Sequence, residues 1–157
     1  MTAPTLTAAP PFDRQGLHVM AKPIGPICNL DCEYCYYLHK EELYPGTTSW
    51  RMAPATLESY IRQLIESQPK GTPEINGTLL DDAWIELFRA HRFLIGLSID
   101  GPAELHDRYR YDRHGRGSFP DVLRGLKLLR QGGSEFNALV VVNRHNGDHG
   151  RRVYTYL

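Results

Sequence analysis

Every cysteine of this chain falls in one short run, CNLDCEYCYYLHK, as Cys28, Cys32 and Cys35. Where thiols stay reduced, clustered cysteines point to a metal before they point to disulfides. A cubane iron–sulfur cluster usually takes four thiolates. Three would leave one iron without a protein ligand, and an open coordination position is what a catalytic metal centre needs. Placing the three on one loop lets their sulfurs converge without help from distant chain. The same spacing admits two other readings. His39, four residues beyond Cys35, could close a Cys3His zinc tetrahedron, or the thiols could carry no metal. Spacing alone leaves all three open.

The loop must sit in a domain able to bury a core. The chain has 157 residues, 41% of them hydrophobic, which suits one domain. Its 18 basic and 18 acidic side chains cancel, so no global field favours nucleic acid or an anionic membrane. The basic run RYRYDRHGRG (108–117) is broken by Asp112 and reads as a solvated loop. No window holds the roughly 18 apolar residues of a membrane span. The N-terminus has neither the basic start nor the apolar stretch of a signal peptide. A cytoplasmic protein is expected, with residues 1–16 a flexible Pro/Ala/Thr-rich lead.

LHVMAKPI (17–24) reads as a strand, which places the cysteines in the loop after it. In residues 54–68, Leu57, Tyr60, Ile61, Leu64 and Ile65 share one helical face. Pro54 suits the first turn, and Pro69 with Gly71 stops the helix. A second helix is expected over 80–91, with Trp84, Leu87 and Phe88 facing inward. FLIGLSI (93–99) suits a strand buried on both faces, ended by DGP. A third helix is expected over 118–133, capped by Ser118, with Asp121 completing the capping box and Pro120 in the first turn. FNALVVV (136–142) reads as another buried strand. The alternation predicts an α/β fold, a parallel sheet covered by helices. It breaks once, because residues 69–80 contain no convincing strand.

The residues around the cysteines narrow the choice. CNLDCEYCYYL resembles the CxxxCxΦC cluster loop of the radical S-adenosylmethionine (SAM) enzymes, with Tyr34 as the aromatic before the third cysteine. AKPIGPICNLDCEYCYYLHKEELYP, NGTLLDDAW, FLIGLSIDGPAELHDRYR and NALVVVNRHN resemble the N-terminal half of anaerobic sulfatase-maturating enzymes. The cysteine motif alone specifies the superfamily; CYYL and LSIDGP carry the narrower assignment.

The resemblance implies an incomplete radical SAM barrel of the (β/α)6 type, a partial TIM-like sheet with helices outside. It implies that Cys28, Cys32 and Cys35 hold a 4Fe–4S cluster and that S-adenosylmethionine chelates the open iron. In that family, cleavage of the sulfonium gives a 5′-deoxyadenosyl radical, which takes hydrogen from a Cys or Ser of a sulfatase polypeptide on the way to formylglycine. The electron comes from a donor such as ferredoxin or flavodoxin. Tyr34 matches the aromatic that lies by the adenine. Tyr37 matches a tyrosine at the substrate site. Ser98 and Arg110 match positions that contact the methionine part, and an arginine fork suits its carboxylate. Asp100, before Gly101 and Pro102, reads as a turn former. His106, His114, His145 and His149 show no metal spacing and read as surface or loop residues. A related peptide-modifying radical enzyme is the near alternative, and a Cys3His zinc-binding interaction module the distant one.

Three departures from the family stand out. The GGEP-type segment whose backbone helps bind the amino group of S-adenosylmethionine is absent, which points to a deletion near Glu74–Asn76 of about 30 residues or more, the size of one βαβ unit. The family's auxiliary-cluster region and its catalytic Asp have no counterpart. With so few strands, residues 17–157 form a truncated domain, expected to be unstable or inactive when made alone.

Overall fold

The computed structural model describes residues 21–67 and 73–157. The N-terminal lead, the first half of the strand expected over 17–24 and the helix stop at Pro69 and Gly71 lie outside these residues. The described part of that strand is instead a turn, closed by Gly25 N–H donating to the Lys22 carbonyl at 2.9 Å.

Among the described residues, five α-helices and three strands follow in chain order: α1 (Pro54–Ser67), β1 (Glu74–Ile75), α2 (Asp82–Ala90), β2 (Leu94–Ser98), α3 (Ala103–His106), α4 (Phe119–Gln131), β3 (Glu135–Leu139) and α5 (Gly150–Tyr156). The strands form one parallel sheet in the order β1-β2-β3. The fold is therefore α/β with a parallel sheet, as the alternation predicts. The break in that alternation is filled by β1, whose two residues pair with Gly96 and Leu97. Two residues are too few to show a period of two in sequence. The pairing is a tertiary product, extended by Gly96 N–H donating to the Pro73 carbonyl at 2.9 Å.

The core lies on one face of the sheet. Ile95, Leu97 and Ile99 alternate onto it and meet Ile85 and Phe88 of α2 and Val122 and Leu129 of α4. Gly96 and Ser98 face the opposite way. α2 starts where Asp81 accepts from Trp84 N–H at 3.1 Å. Its inward face is Ile85 and Phe88, whereas Trp84 and Leu87 are 49% and 40% exposed, so the expected inward trio is rotated by about one residue. β3 is an edge strand with Glu135, Asn137 and Ala138 exposed, and it ends at Leu139. Val140–Val142, expected from sequence to continue it, leave the ladder, and Val142 is 77% exposed. α4 is capped from a distance. Asp107 Oδ1 accepts from Phe119 N–H at 2.8 Å, while the hydroxyl of Ser118 makes no cap bond because it is used elsewhere.

The turn after β1 is pressed onto α4. Gly77 has φ +77, and a Cβ there would lie 2.3 Å from Leu97 Cδ1. Arg124 of α4 donates to the Leu80 and Thr78 carbonyls, both at 2.7 Å. A Cβ at Gly125 would stand 2.3 Å from the Gly77 carbonyl oxygen. Alanine at 125 gains about 1 kcal/mol of helix propensity, but the overpacking costs about 1–3 kcal/mol. Gly125→Ala is therefore expected to lower the urea midpoint at unchanged m-value; an equal or higher midpoint would contradict this packing.

Candidate metal and cofactor site

In a parallel sheet all strands end at the same edge, and α/β folds place their sites there. Asn76 follows β1, Asp100 lies two residues past β2, and Val141 lies two past β3. The cysteine loop docks on this edge. Asp31 N–H donates to the Tyr111 carbonyl at 2.9 Å and Glu33 N–H to the Tyr109 carbonyl at 3.1 Å. Leu30 and Asp112 form an antiparallel bridge, as do Tyr111 and Gly117. The run 108–117, expected as a solvated loop, is thus a small hairpin that carries the cysteine loop. Asp112 holds its tip by accepting from His114 and Arg116 N–H at 2.9 and 3.0 Å.

Beneath the loop lies Asp100, fully buried. Its carboxylate accepts from Arg110 Nε at 2.7 Å, Arg110 Nη2 at 3.2 Å, Val141 N–H at 2.9 Å and the Tyr34 hydroxyl. Asp100 is therefore a buried charge with four donors, not only a turn former. It joins the edge of β2, the chain after β3, the hairpin and the cysteine loop. Burial, and then the bond to Asp100, push the Tyr34 hydroxyl far above its usual pKa, so it stays protonated and donates.

His106, expected at the surface, is also fully buried. Asp100 N–H donates to its Nδ1 at 3.2 Å. That backbone donor assigns the tautomer: Nε2 carries the proton and faces Ser118 Oγ at 3.0 Å. Ser118 Oγ in turn donates to the Arg110 carbonyl at 2.8 Å, which is why it does not cap α4. Burial first, and then the Arg110 charge, lower His106 to a pKa of about 4.

The cysteines are all free thiols. Cys35 N–H donates to the Cys32 carbonyl at 2.9 Å, a tight turn between two of them. Cys32 is buried, and its pKa is pushed up to about 11 by burial, eased by Arg110 and raised further by Cys28 and Cys35. Cys28 Sγ faces two N–H donors, Leu30 at 3.5 Å and Asn76 Nδ2 at 3.8 Å. Among the described residues, no three His, Cys, Asp or Glu side chains are gathered as for one metal ion. A cubane makes a different demand, because it offers separate irons to separate thiolates. Three thiols on one loop, with N–H donors aimed at sulfur, fit that group. His39 faces another partner: its backbone is left-handed at φ 60 and its exposed ring stands 3.8 Å from Glu42.

Of the other residues singled out by sequence, Tyr34 lies under the Arg110 guanidinium, 5.3 Å from its ring centroid. Tyr37 is half-buried beneath Lys22 Nζ at 5.0 Å. Ser98 is half-buried on the face away from the helices. Arg110 is a buried ion-pair partner whose Nε and Nη2 are engaged by Asp100. Tyr34 and Arg110 therefore meet at Asp100, while Tyr37 stands apart with Lys22. The sequence alone suggests only a turn role for Asp100 and a surface or loop role for His106, and it does not single out the Asn29, Asn76 and Thr78 side chains. The available signal was a charged residue ending an apolar strand, with an arginine ten residues on.

Two outcomes follow for this network. Asp100→Asn leaves Arg110 as an uncompensated buried charge, and removing one partner of a buried pair costs about 3–5 kcal/mol. Urea unfolding should show that loss; a change below about 1 kcal/mol, the scale of exposed pairs, would contradict the hub. His106 binds a proton less readily folded than unfolded, so its contribution is complete above about pH 6.5 and is lost as pH falls toward about 4. The linkage is worth roughly 3 kcal/mol at most. His106→Gln should flatten the fall in stability between those pH values; an unchanged slope would contradict the assignment.

No protein-family model matches the chain. It is 37% identical over 187 aligned positions to the serine-type anaerobic sulfatase-maturating enzyme of Bacteroides thetaiotaomicron, covering 96% of this chain and 45% of that enzyme. Those 187 positions exceed the 157 residues of this chain, so at least 30 positions of the relative have no counterpart here. The solved structure of native anSMEcpe with bound AdoMet superposes with a TM-score of 0.70 at 26% identity, covering 86% of this chain and 47% of that one. The same protein with bound AdoMet and the Kp18Cys peptide gives 0.69 at 28% identity, covering 86% and 46%. The chain thus spans about half the length of the relatives it matches. Over that shared length, its cysteine loop and parallel sheet are similar to those of anaerobic sulfatase-maturating enzymes.

Proposed function

We propose that Cys28, Cys32 and Cys35 bind a 4Fe–4S cluster whose fourth iron is left to S-adenosylmethionine. The reaction served is oxidation of a sulfatase Ser or Cys side chain to formylglycine. The observation that carries this reading is the docking of the three-cysteine loop on the C-terminal edge of the sheet through Tyr34 and Asp100. Support also comes from the relatives, one named a serine-type maturase and one solved with AdoMet and a peptide. The serine-type name favours serine as the target residue.

When bound, the cluster and the sulfonium supply one-electron cleavage and a carbon radical. This chain's residues supply position. Arg110, pinned by Asp100, sets a positive charge beside the loop for the carboxylate of S-adenosylmethionine. Ser98 offers a hydroxyl from the strand end, and Tyr34 a ring face for the adenine. In this reading Tyr37, with Lys22 above it, serves the peptide substrate. The electron is supplied by a donor such as ferredoxin or flavodoxin. Among the described residues no helix is long and apolar enough to cross a membrane, and a cytoplasmic setting suits a reduced cluster. We assign the alignment gap to the segment near Glu74–Asn76, where β1 is only two residues long.

Anaerobic incubation with iron and sulfide should give broad brown absorbance and about four irons per chain. Cys28→Ala, Cys32→Ala and Cys35→Ala should each lose it, and His39→Ala should keep it. A colourless chain that binds one zinc and loses it in His39→Ala would establish the Cys3His alternative instead.

A further inference from the structure

The turn after β1 meets the cysteine loop through a closed ring of side chains. Asn29 Nδ2 donates to Thr78 Oγ1 at 2.8 Å, Thr78 Oγ1 donates to Asn76 Oδ1 at 3.1 Å, and Asn76 Nδ2 donates to Asn29 Oδ1 at 2.9 Å. Thr78 N–H also donates to Asn76 Oδ1 at 3.2 Å. A backbone N–H can only donate, so the group facing it must be the oxygen of Asn76. That fixes the amide orientation and turns its NH2 toward the cysteine loop. One hydrogen goes to Asn29; the other faces Cys28 Sγ at 3.8 Å. The sulfur also receives Leu30 N–H at 3.5 Å. The Cys28 thiol itself points at Asn29 Oδ1 at 3.8 Å, a bond that ends once the thiol gives up its proton to bind metal.

We infer that Asn76 is a positioning residue that acts on the cluster through Cys28, donating to its thiolate and raising the cluster's reduction potential. A donor to sulfur stabilises the more negative, reduced state more than the oxidised one, and such bonds are among the levers that set these potentials. The bond strengthens when the acceptor becomes charged, so it is made in full only with the cluster in place. Asn76 is brought there by β1, the turn at Gly77 and the Arg124 clamp, a segment with no cysteine and no part in ligation. The inference rests on the cluster reading above.

The test is a redox titration of the reconstituted chain, followed by the electron paramagnetic resonance signal of the reduced cluster. Asn76→Asp keeps shape and acceptor but replaces the donor with a negative charge; Asn76→Leu removes both polar atoms. Thr78→Val opens the ring and leaves the donor. The expected result is a more negative midpoint in both Asn76 variants at wild-type iron content, larger for Asp, with a smaller shift in Thr78→Val. Equal midpoints in the Asn76 variants and wild type would overturn the inference. If those variants hold no cluster, wild type with 15N in asparagine side chains decides. A 15N coupling to the reduced cluster that persists in Asn29→Ser supports the Asn76 bond, and its absence overturns it. A wild-type chain that takes up no iron would instead refute the cluster reading itself.

Discussion

One buried carboxylate organises the site. Asp100 sits just past β2 with no exposed surface and four donors around it. A carboxylate out of water is tolerable only when paired and fully hydrogen-bonded. Arg110 supplies the countercharge, Val141 the backbone donor and Tyr34 the hydroxyl. Each partner comes from a different segment, so satisfying one charge joins the hairpin, the chain after β3 and the cysteine loop to the sheet edge. His106 and Ser118 extend the arrangement by linking the Asp100 backbone to the Arg110 carbonyl. Arg110 is thereby held at both ends, by its guanidinium and by its own peptide group.

This explains why a loop with little regular structure has a defined place. Between Gly25 and Lys40 the chain makes turns, one bridge and no strand. Its position comes from outside: backbone bonds to Tyr109 and Tyr111, the Tyr34 hydroxyl on Asp100, and the Asn29–Thr78–Asn76 ring. Cys32 is costly to ionise without a metal, because it is buried. A metal reverses that balance by pairing each thiolate with cation charge.

Elements with a long apolar period could be read from the chain alone. α1, α2, α4 and β2 fall within a residue or two of their expected bounds, because Leu57 to Ile65 and Phe93 to Ile99 carry strong local patterns. β1 could not, since two residues hold no period and their strand state depends on Gly96 and Leu97. The length of β3 was overestimated because Val140–Val142 look like strand while the ladder stops at Leu139. In the site, the cysteines were visible because three thiols on one short loop point to a metal, and the residues around them narrowed which one. Asp100, His106 and Asn76 were not, because Asp before Gly-Pro, a lone His and Asn before Gly are ordinary turn and loop residues in sequence. Their importance lies in long-range pairing: Asp100 to Tyr34 spans 66 residues and Asn76 to Cys28 spans 48.

The central claim is that three thiolates hold a cluster at the sheet edge and leave one iron for S-adenosylmethionine. It is tested most directly by pulsed electron paramagnetic resonance on the reduced, reconstituted chain with S-adenosylmethionine labelled by 15N at its amino group and 17O at its carboxylate. The account predicts hyperfine coupling from both labels, the signature of direct chelation. A cluster signal that carries neither coupling at saturating S-adenosylmethionine would contradict it.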